Sequence, residues 1–157
     1  TQEIKELQRI IIDKKFAEKY DRTLNVFRQV AKRKGIKDFD EDFVRMLLDN
    51  SMDPIHNLKD YFNRPRPQEL AERMNLQLDI VDLKSAKTAS YPSGHSAQAF
   101  LVALALGDKH PRYRKDFLKA AKKISYSRRV AHVHYKSDSK FGELVGKSLY
   151  KHIKNKS

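Results

Sequence analysis

Three short stretches of the sequence combine residue types that can handle a phosphoryl group. They run from Lys59 to Pro67 (Lys-Asp-Tyr-Phe-Asn-Arg-Pro-Arg-Pro), from Tyr91 to His95 (Tyr-Pro-Ser-Gly-His), and from Ser127 to Asp138, the last holding Arg128, His132 and His134. Lys59, Arg66 and Arg128 supply positive charge, and a guanidinium can donate to two phosphate oxygens at once. Taken singly, each of these cations also fits an ordinary solvated surface position.

Ser93-Gly94-His95 follows a proline and opens an apolar run, which is how a helix begins. The first backbone N–H groups of a helix lack intrahelical partners, and the positive end of its dipole favours an anion. Gly94 lets a ligand approach the backbone, and the Ser93 hydroxyl is a further donor. By itself this stretch equally describes a plain serine N-cap with a glycine in the first turn.

His134 and Asp138 are four residues apart, so in a helix the carboxylate sits one turn from the imidazole. A carboxylate on one ring nitrogen fixes the tautomer and leaves the other nitrogen as nucleophile or base. The alternative is Asp138 as N-cap of the following helix with His134 at the surface. His132 has no acid at the same offset, because position 136 is Lys. Arg128 and His134 would face different sides of an unbroken helix, so a helix break is predicted between them.

The elements that must position these residues read as helices. Ile4, Leu7, Ile11, Phe16, Tyr20, Leu24, Phe27 and Ala31 recur at helical intervals up to Gly35. A second helix is expected after Asp38 or Asp40, carrying Phe43, Met46 and Leu47, and a third after Asp53-Pro54, ended by the two Arg-Pro pairs. A short helix from Gln68 to Met74 precedes a loop over residues 75–91. Ser93 to about Lys109 is apolar all round at its centre, so it should be the buried central helix. Another helix starts at Pro111, and a last one runs from about Asp138 with Phe141, Leu144, Val145, Leu149 and Ile153 on one stripe. Gly142 and Gly146 flank that stripe and would admit a close neighbour. The expected architecture is all-α, a compact single-domain bundle of six or seven helices around residues 93–109.

Composition narrows the function classes. The chain has 157 residues, no cysteine and a net charge of +13, so disulfides, thiolate metal sites and a thiol nucleophile are excluded. No apolar run approaches the roughly 20 residues of a membrane-spanning helix, so no integral membrane association is expected. The opening residues Thr1 to Lys5 lack the apolar core of a signal peptide, and the expected location is the cytoplasm unless an export signal has been removed. Residues 109–157 hold 15 Lys/Arg against 3 Asp/Glu, which suggests an anionic partner or a solvated basic face.

In order, the three stretches read Lys-x6-Arg-Pro, Pro-Ser-Gly-His and Ser-Arg-x5-His-x3-Asp. This resembles the three-part signature of the type 2 phosphatidic acid phosphatase (PAP2) superfamily, which includes bacterial non-specific acid phosphatases, lipid phosphatases and vanadium haloperoxidases. All eleven signature residues match, over residues 59–138. The resemblance implies that His134 is the nucleophile of a phosphohistidine mechanism, oriented by Asp138, with His95 the general acid. Lys59, Arg66, Arg128, Ser93 and the Gly94 N–H would hold the phosphoryl oxygens, with no metal. Arg64-Pro65 offers a second register, but with Lys59 at the wrong spacing.

The expected function is therefore a soluble, metal-independent phosphatase acting on small phosphate monoesters, with diphosphates also open, and with vanadate as an inhibitor. The alternatives are a vanadate-dependent haloperoxidase, with vanadate as cofactor in the same pocket, and a non-catalytic protein that keeps the pocket for phosphate without turnover and offers the Lys115–Lys123 face to nucleic acid or anionic lipid.

Overall fold

A computed structural model describes residues 1–156. Its elements are α1 (Gln2–Gln8), α2 (Lys14–Lys19), α3 (Thr23–Lys34), α4 (Glu41–Phe62), α5 (Pro67–Arg73), α6 (Gly94–Lys109), a 3₁₀ turn (Pro111–Tyr113), α7 (Arg114–Val130) and α8 (Lys136–Lys156). No strand occurs among the described residues, so the fold is all-α as expected.

The apolar centre of α6 makes it the hub of the fold. Ala99, Phe100, Leu101, Val102, Ala103 and Leu106 are all buried, and α6 packs most extensively on α7 and α8, then on α4. Phe27 and Val30 of α3, Val44 and Leu47 of α4, and Phe117, Ala121 and Ile124 of α7 complete the main core around it. Burying a side chain of this size stabilises the fold by roughly 1.5–3 kcal/mol, so this core outweighs any single polar contact.

The α6–α8 contact depends on Gly142 and Gly146. A Cβ on Gly142 would lie 2.6 Å from the Ser93 carbonyl oxygen, and one on Gly146 would collide with the Ala97 carbonyl. The two helices therefore meet backbone to backbone, as the glycine spacing predicts, and the contact falls at the residue that caps α6.

Several elements differ from the expectation. The single amino-terminal helix is three, because Asp13 caps a new one, its Oδ1 accepting from the Phe16 N–H at 3.1 Å, and the chain turns again at Tyr20–Arg22. Conversely, Asp53-Pro54 starts nothing: α4 runs through Pro54. Proline deprives the Asn50 carbonyl of its helical donor, but Asn50 is exposed and water can replace it. Burial of Leu47, Ser51, Ile55 and Lys59 along one face of the helix offsets the cost. Met46 and Leu144, expected on apolar stripes, are exposed.

The segment between α5 and α6 is a loop, as expected, but a fastened one. Val81 N–H donates to the Ala131 carbonyl at 3.0 Å, Ser90 N–H to the Arg64 carbonyl at 2.9 Å, and Leu78, Val81 and Leu83 are buried. The predicted break after Arg128 is also present: α7 ends at Val130, and His132 takes a left-handed conformation with φ of 59°. The His132 ring faces the Asp79 and Ile10 carbonyls, each at 2.8 Å, so this histidine ties the turn to the scaffold.

Candidate active site

Each predicted site residue is delivered by a different constraint. The straight run of α4 carries Lys59 into the interior, while Pro65 and Pro67 keep Arg66 extended so that it reaches back. Ser93 caps α6, its Oγ accepting from the Ser96 N–H at 3.2 Å, and so exposes the Gly94–His95 turn to a cavity. Arg128 comes from the last turn of α7, and His134 from the turn before α8.

These elements enclose a cavity of about 320 Å³. Lys59, Arg66, Gly94, His95, Arg128 and His134 all line it, so six of the eight predicted residues converge on one space. Asp138 and Ser93 stand behind that wall. Met52, Ile55 and His56 of α4, Gln98 of α6, and Ser85 and Thr88 of the loop form the rest of the lining. No residue before α4's second half contributes, so the amino-terminal helices do not wall the cavity.

The hydrogen-bond pattern fixes the protonation of His134. Arg66 approaches its Nε2 at 3.0 Å through Nη1, and also donates to the Val133 carbonyl at 3.0 Å and the Thr88 carbonyl at 2.7 Å. A guanidinium can only donate, so Nε2 is the unprotonated nitrogen and Nδ1 carries the hydrogen. That Nδ1–H donates to Asp138 Oδ2 at 2.9 Å. Burial, reinforced by the charges of Arg66, Arg128 and Lys59, holds His134 well below the usual histidine range, so the ring is neutral.

Asp138 is fully buried and has four donors. Besides His134, it accepts from the Tyr135 N–H at 3.0 Å, from Arg64 Nη1 at 2.8 Å and from the Ser90 hydroxyl. Burial pushes its carboxyl up to about 6, while the bonds from Ser90, Tyr135 and Arg64 favour the carboxylate. Sequence reasoning missed Ser90, whose loop position gives no periodic signal, and read Arg64 only as an alternative register. The structure separates the two arginines: Arg66 lines the cavity, whereas Arg64 sits behind Asp138, stacked 4.0 Å from the Tyr135 ring and paired with Glu3 of α1 at 2.8 Å.

The cations are buried and held in place. Lys59 Nζ donates to the Ala89 carbonyl at 2.6 Å, and burial together with the charge of Arg66 brings its ammonium down to about 7. Arg66 is lowered to about 10 by burial and by Arg128. Arg128 is 1% exposed, and its Nε has no hydrogen-bond partner among the described residues. A buried donor without an acceptor is rare and costly, and an anion in the cavity is the kind of group that satisfies one.

His95 is anchored through Nε2, which lies 2.7 Å from the Asp21 backbone carbonyl. A carbonyl only accepts, so Nε2 is protonated, and Nδ1 has no partner among the described residues. Asp21, on the turn between α2 and α3, carries no sequence signal; only the fold brings it here. Among the described residues no three His, Asp or Glu side chains converge as metal ligands.

A family model described as the PAP2 superfamily matches residues 44–154. The non-specific acid phosphatases of Salmonella typhimurium (strain LT2) and Salmonella typhi are each 31% identical to this chain over 88 residues, which is 56% of it and 35% of either relative. The match thus spans about a third of the length of those relatives. A transmembrane PAP2-type phosphatidylglycerolphosphate phosphatase from Bacillus subtilis shares the fold with a TM-score of 0.52 at 20% identity, over 85% of this chain and 65% of its own. No helix of the described residues is long and apolar enough to cross a membrane.

Proposed function

The chain belongs to the PAP2 superfamily, and from that membership and the geometry of the cavity we propose that it is a metal-independent phosphatase that hydrolyses phosphate monoesters through a phosphohistidine. The observation that carries this reading is His134, whose unprotonated Nε2 faces Arg66 in a cavity lined by three cations while Asp138 holds its Nδ1.

In the first half-reaction the Nε2 lone pair attacks phosphorus. The ester P–O bond breaks, its electron pair stays on the leaving oxygen, and that oxygen takes a proton from His95. Asp138 stabilises the charge that develops on the His134 ring, as a carboxylate does in other imidazole-based sites. Lys59, Arg66, Arg128 and the N–H groups at the start of α6 meet the equatorial phosphoryl oxygens, and donors of this kind each contribute about 10²–10³ in rate. In the second half-reaction water attacks phosphorus, the P–N bond returns its pair to Nε2, and the water proton passes to His95. Inorganic phosphate is released and the ring states are restored.

The substrate class is a small phosphate ester, whose leaving group would meet the part of the lining outside the cations and histidines, which includes Met52, His56 and Gln98. The test is hydrolysis of 4-nitrophenyl phosphate in the presence of a chelator, comparing the unmodified protein with His134→Ala. Activity lost only in the variant, with inhibition of the unmodified protein by vanadate, supports the reading. Undiminished turnover in the variant overturns it, and turnover that the chelator removes overturns metal independence.

A further inference from the structure

Asp21 lies outside the matched segment 44–154 and lines none of the cavity, yet it touches three residues that do, Ser85, His95 and Arg128. Its Oδ1 accepts from Arg128 Nη1 at 2.9 Å and from the Ser85 hydroxyl at 2.6 Å, and stands 3.4 Å from His95 Nε2. Its backbone carbonyl accepts from the same Nε2 at 2.7 Å. One residue of the amino-terminal segment therefore grips His95 twice and fastens it to Arg128.

Resting on the phosphatase reading, we infer that Asp21 is the positioning residue for the leaving-group acid: it keeps the Nε2–H of His95 occupied, so that Nδ1 is the nitrogen that delivers the proton to the departing oxygen. The proton leaves Nδ1 as the P–O bond breaks, while Nε2–H remains on Asp21.

The electrostatics require such a partner. Burial disfavours a charged His95, and Arg128 from α7 disfavours it further, while Asp21 acts in the opposite direction. His134, from the turn before α8, is neutral and adds no opposing charge. Hydrogen bonds from His95 and Ser85 and the charge of Arg128 hold Asp21 well below the usual carboxylate range, so it stays ionised. Without its carboxylate the ring would sit buried beside a guanidinium with only the backbone carbonyl of residue 21 to favour an imidazolium. The contacts also explain how one cluster serves both ends of the reaction: Arg128 on the phosphoryl group and His95 on the leaving group are set by the same carboxylate.

The experiment is Asp21→Asn, assayed on hexyl phosphate and on 4-nitrophenyl phosphate across pH. An alkoxide needs a proton in order to leave and a nitrophenolate does not. The variant should lose about 10²-fold or more in kcat on the alkyl ester, and at least tenfold less on the aryl ester. The alkaline limb of the alkyl profile should also move to lower pH, because the protonated ring has lost its counter-charge. Equal losses on both esters with an unmoved limb would overturn the inference and leave Asp21 a structural residue. Should the variant fail to fold, nitrogen-15 imidazole spectra of the unmodified protein decide the matter: neutral His95 must carry its hydrogen on Nε2, and the opposite tautomer overturns the proposal. Failure of the phosphatase reading itself looks different, since the unmodified protein would then turn over neither ester.

Discussion

Arg66 and His134 face each other at 3.0 Å, guanidinium to Nε2, and this contact forces the ring hydrogen onto Nδ1 against Asp138. Asp138→Asn reverses that logic. The amide can donate to Nδ1 and so favours a hydrogen on Nε2, which removes the lone pair that the proposed attack uses. A wrong tautomer costs about 10⁴-fold in kcat in a comparable imidazole site, and a loss of about that size is expected here, with vanadate affinity far less affected. Steady-state kinetics alongside vanadate inhibition check it, and a loss under tenfold speaks against the tautomer argument.

The two Arg-Pro pairs are expected to separate cleanly. Arg66→Ala removes a guanidinium from the cavity wall and should weaken inorganic phosphate binding by about 10-fold or more, given the strength of charge-assisted pairs. Arg64→Ala should leave phosphate affinity nearly unchanged. It deprives Asp138 of one of the groups that favour its carboxylate, so the carboxyl titrates higher and the acidic limb of kcat moves to higher pH. Calorimetry and a pH–rate profile on both variants read the difference.

Anion binding should be linked to proton uptake. Among the residues of the cavity the Lys59 ammonium is depressed to about 7, chiefly by burial. A bound dianion favours the charged form and raises that value, so binding just above neutrality draws in a proton. Affinity then falls as pH rises past 7, by at most about tenfold per unit for one proton. Sulfate, which does not itself titrate in this range, can be followed by calorimetry in buffers of different ionisation enthalpy. Buffer-dependent heats that vanish in Lys59→Met are expected; buffer-independent heats in the unmodified protein contradict the link.

Gly142 and Gly94 make a contrasting pair. A Cβ on Gly142 meets the Ser93 carbonyl at 2.6 Å and the Ser96 Cβ at 2.7 Å, both on the neighbouring helix, so Gly142→Ala should cost about 1–3 kcal/mol by overpacking. At this chain length each kcal/mol lowers Tm by about 2–4 °C. On Gly94 the same atom meets only Ile55 Cγ2 and Lys59 Cε, each at 3.7 Å. Gly94→Ala should therefore leave Tm almost unmoved and raise KM by crowding the cavity. Thermal melts and KM for both variants test this.

The residues that meet at the cavity were legible because the proposed chemistry dictates their type: a phosphate would need cations and a helix start, and a histidine nucleophile would need a carboxylate at a fixed offset. The central helix was legible because a run apolar on all sides has only one stable place. Two features were not. Pro54 reads as a helix start locally, and only the buried row of Leu47, Ser51, Ile55 and Lys59 reveals that α4 continues through it. Asp21, Ser85 and Ser90 have no spacing relation to the residues they serve, since their partners lie 43 to 107 positions away. Tertiary contact alone identifies them.

The Ser93 N–H donates to the Asp138 carbonyl at 3.0 Å, across the seam where Gly142 lets α8 touch α6. That bond locks the start of α6 to the first turn of α8, so these two parts of the cavity move as one piece of backbone. It also marks where the polypeptide can grow. The 3₁₀ turn Pro111–Tyr113 lies at the far end of α6, roughly 24 Å from the cap at 1.5 Å per residue. Extra residues spliced in there would leave the cavity untouched, whereas one residue added between His134 and Asp138 would throw the imidazole out of register with its carboxylate and with the start of α6. Relatives of different size should therefore lengthen at the first place and keep a fixed count at the second.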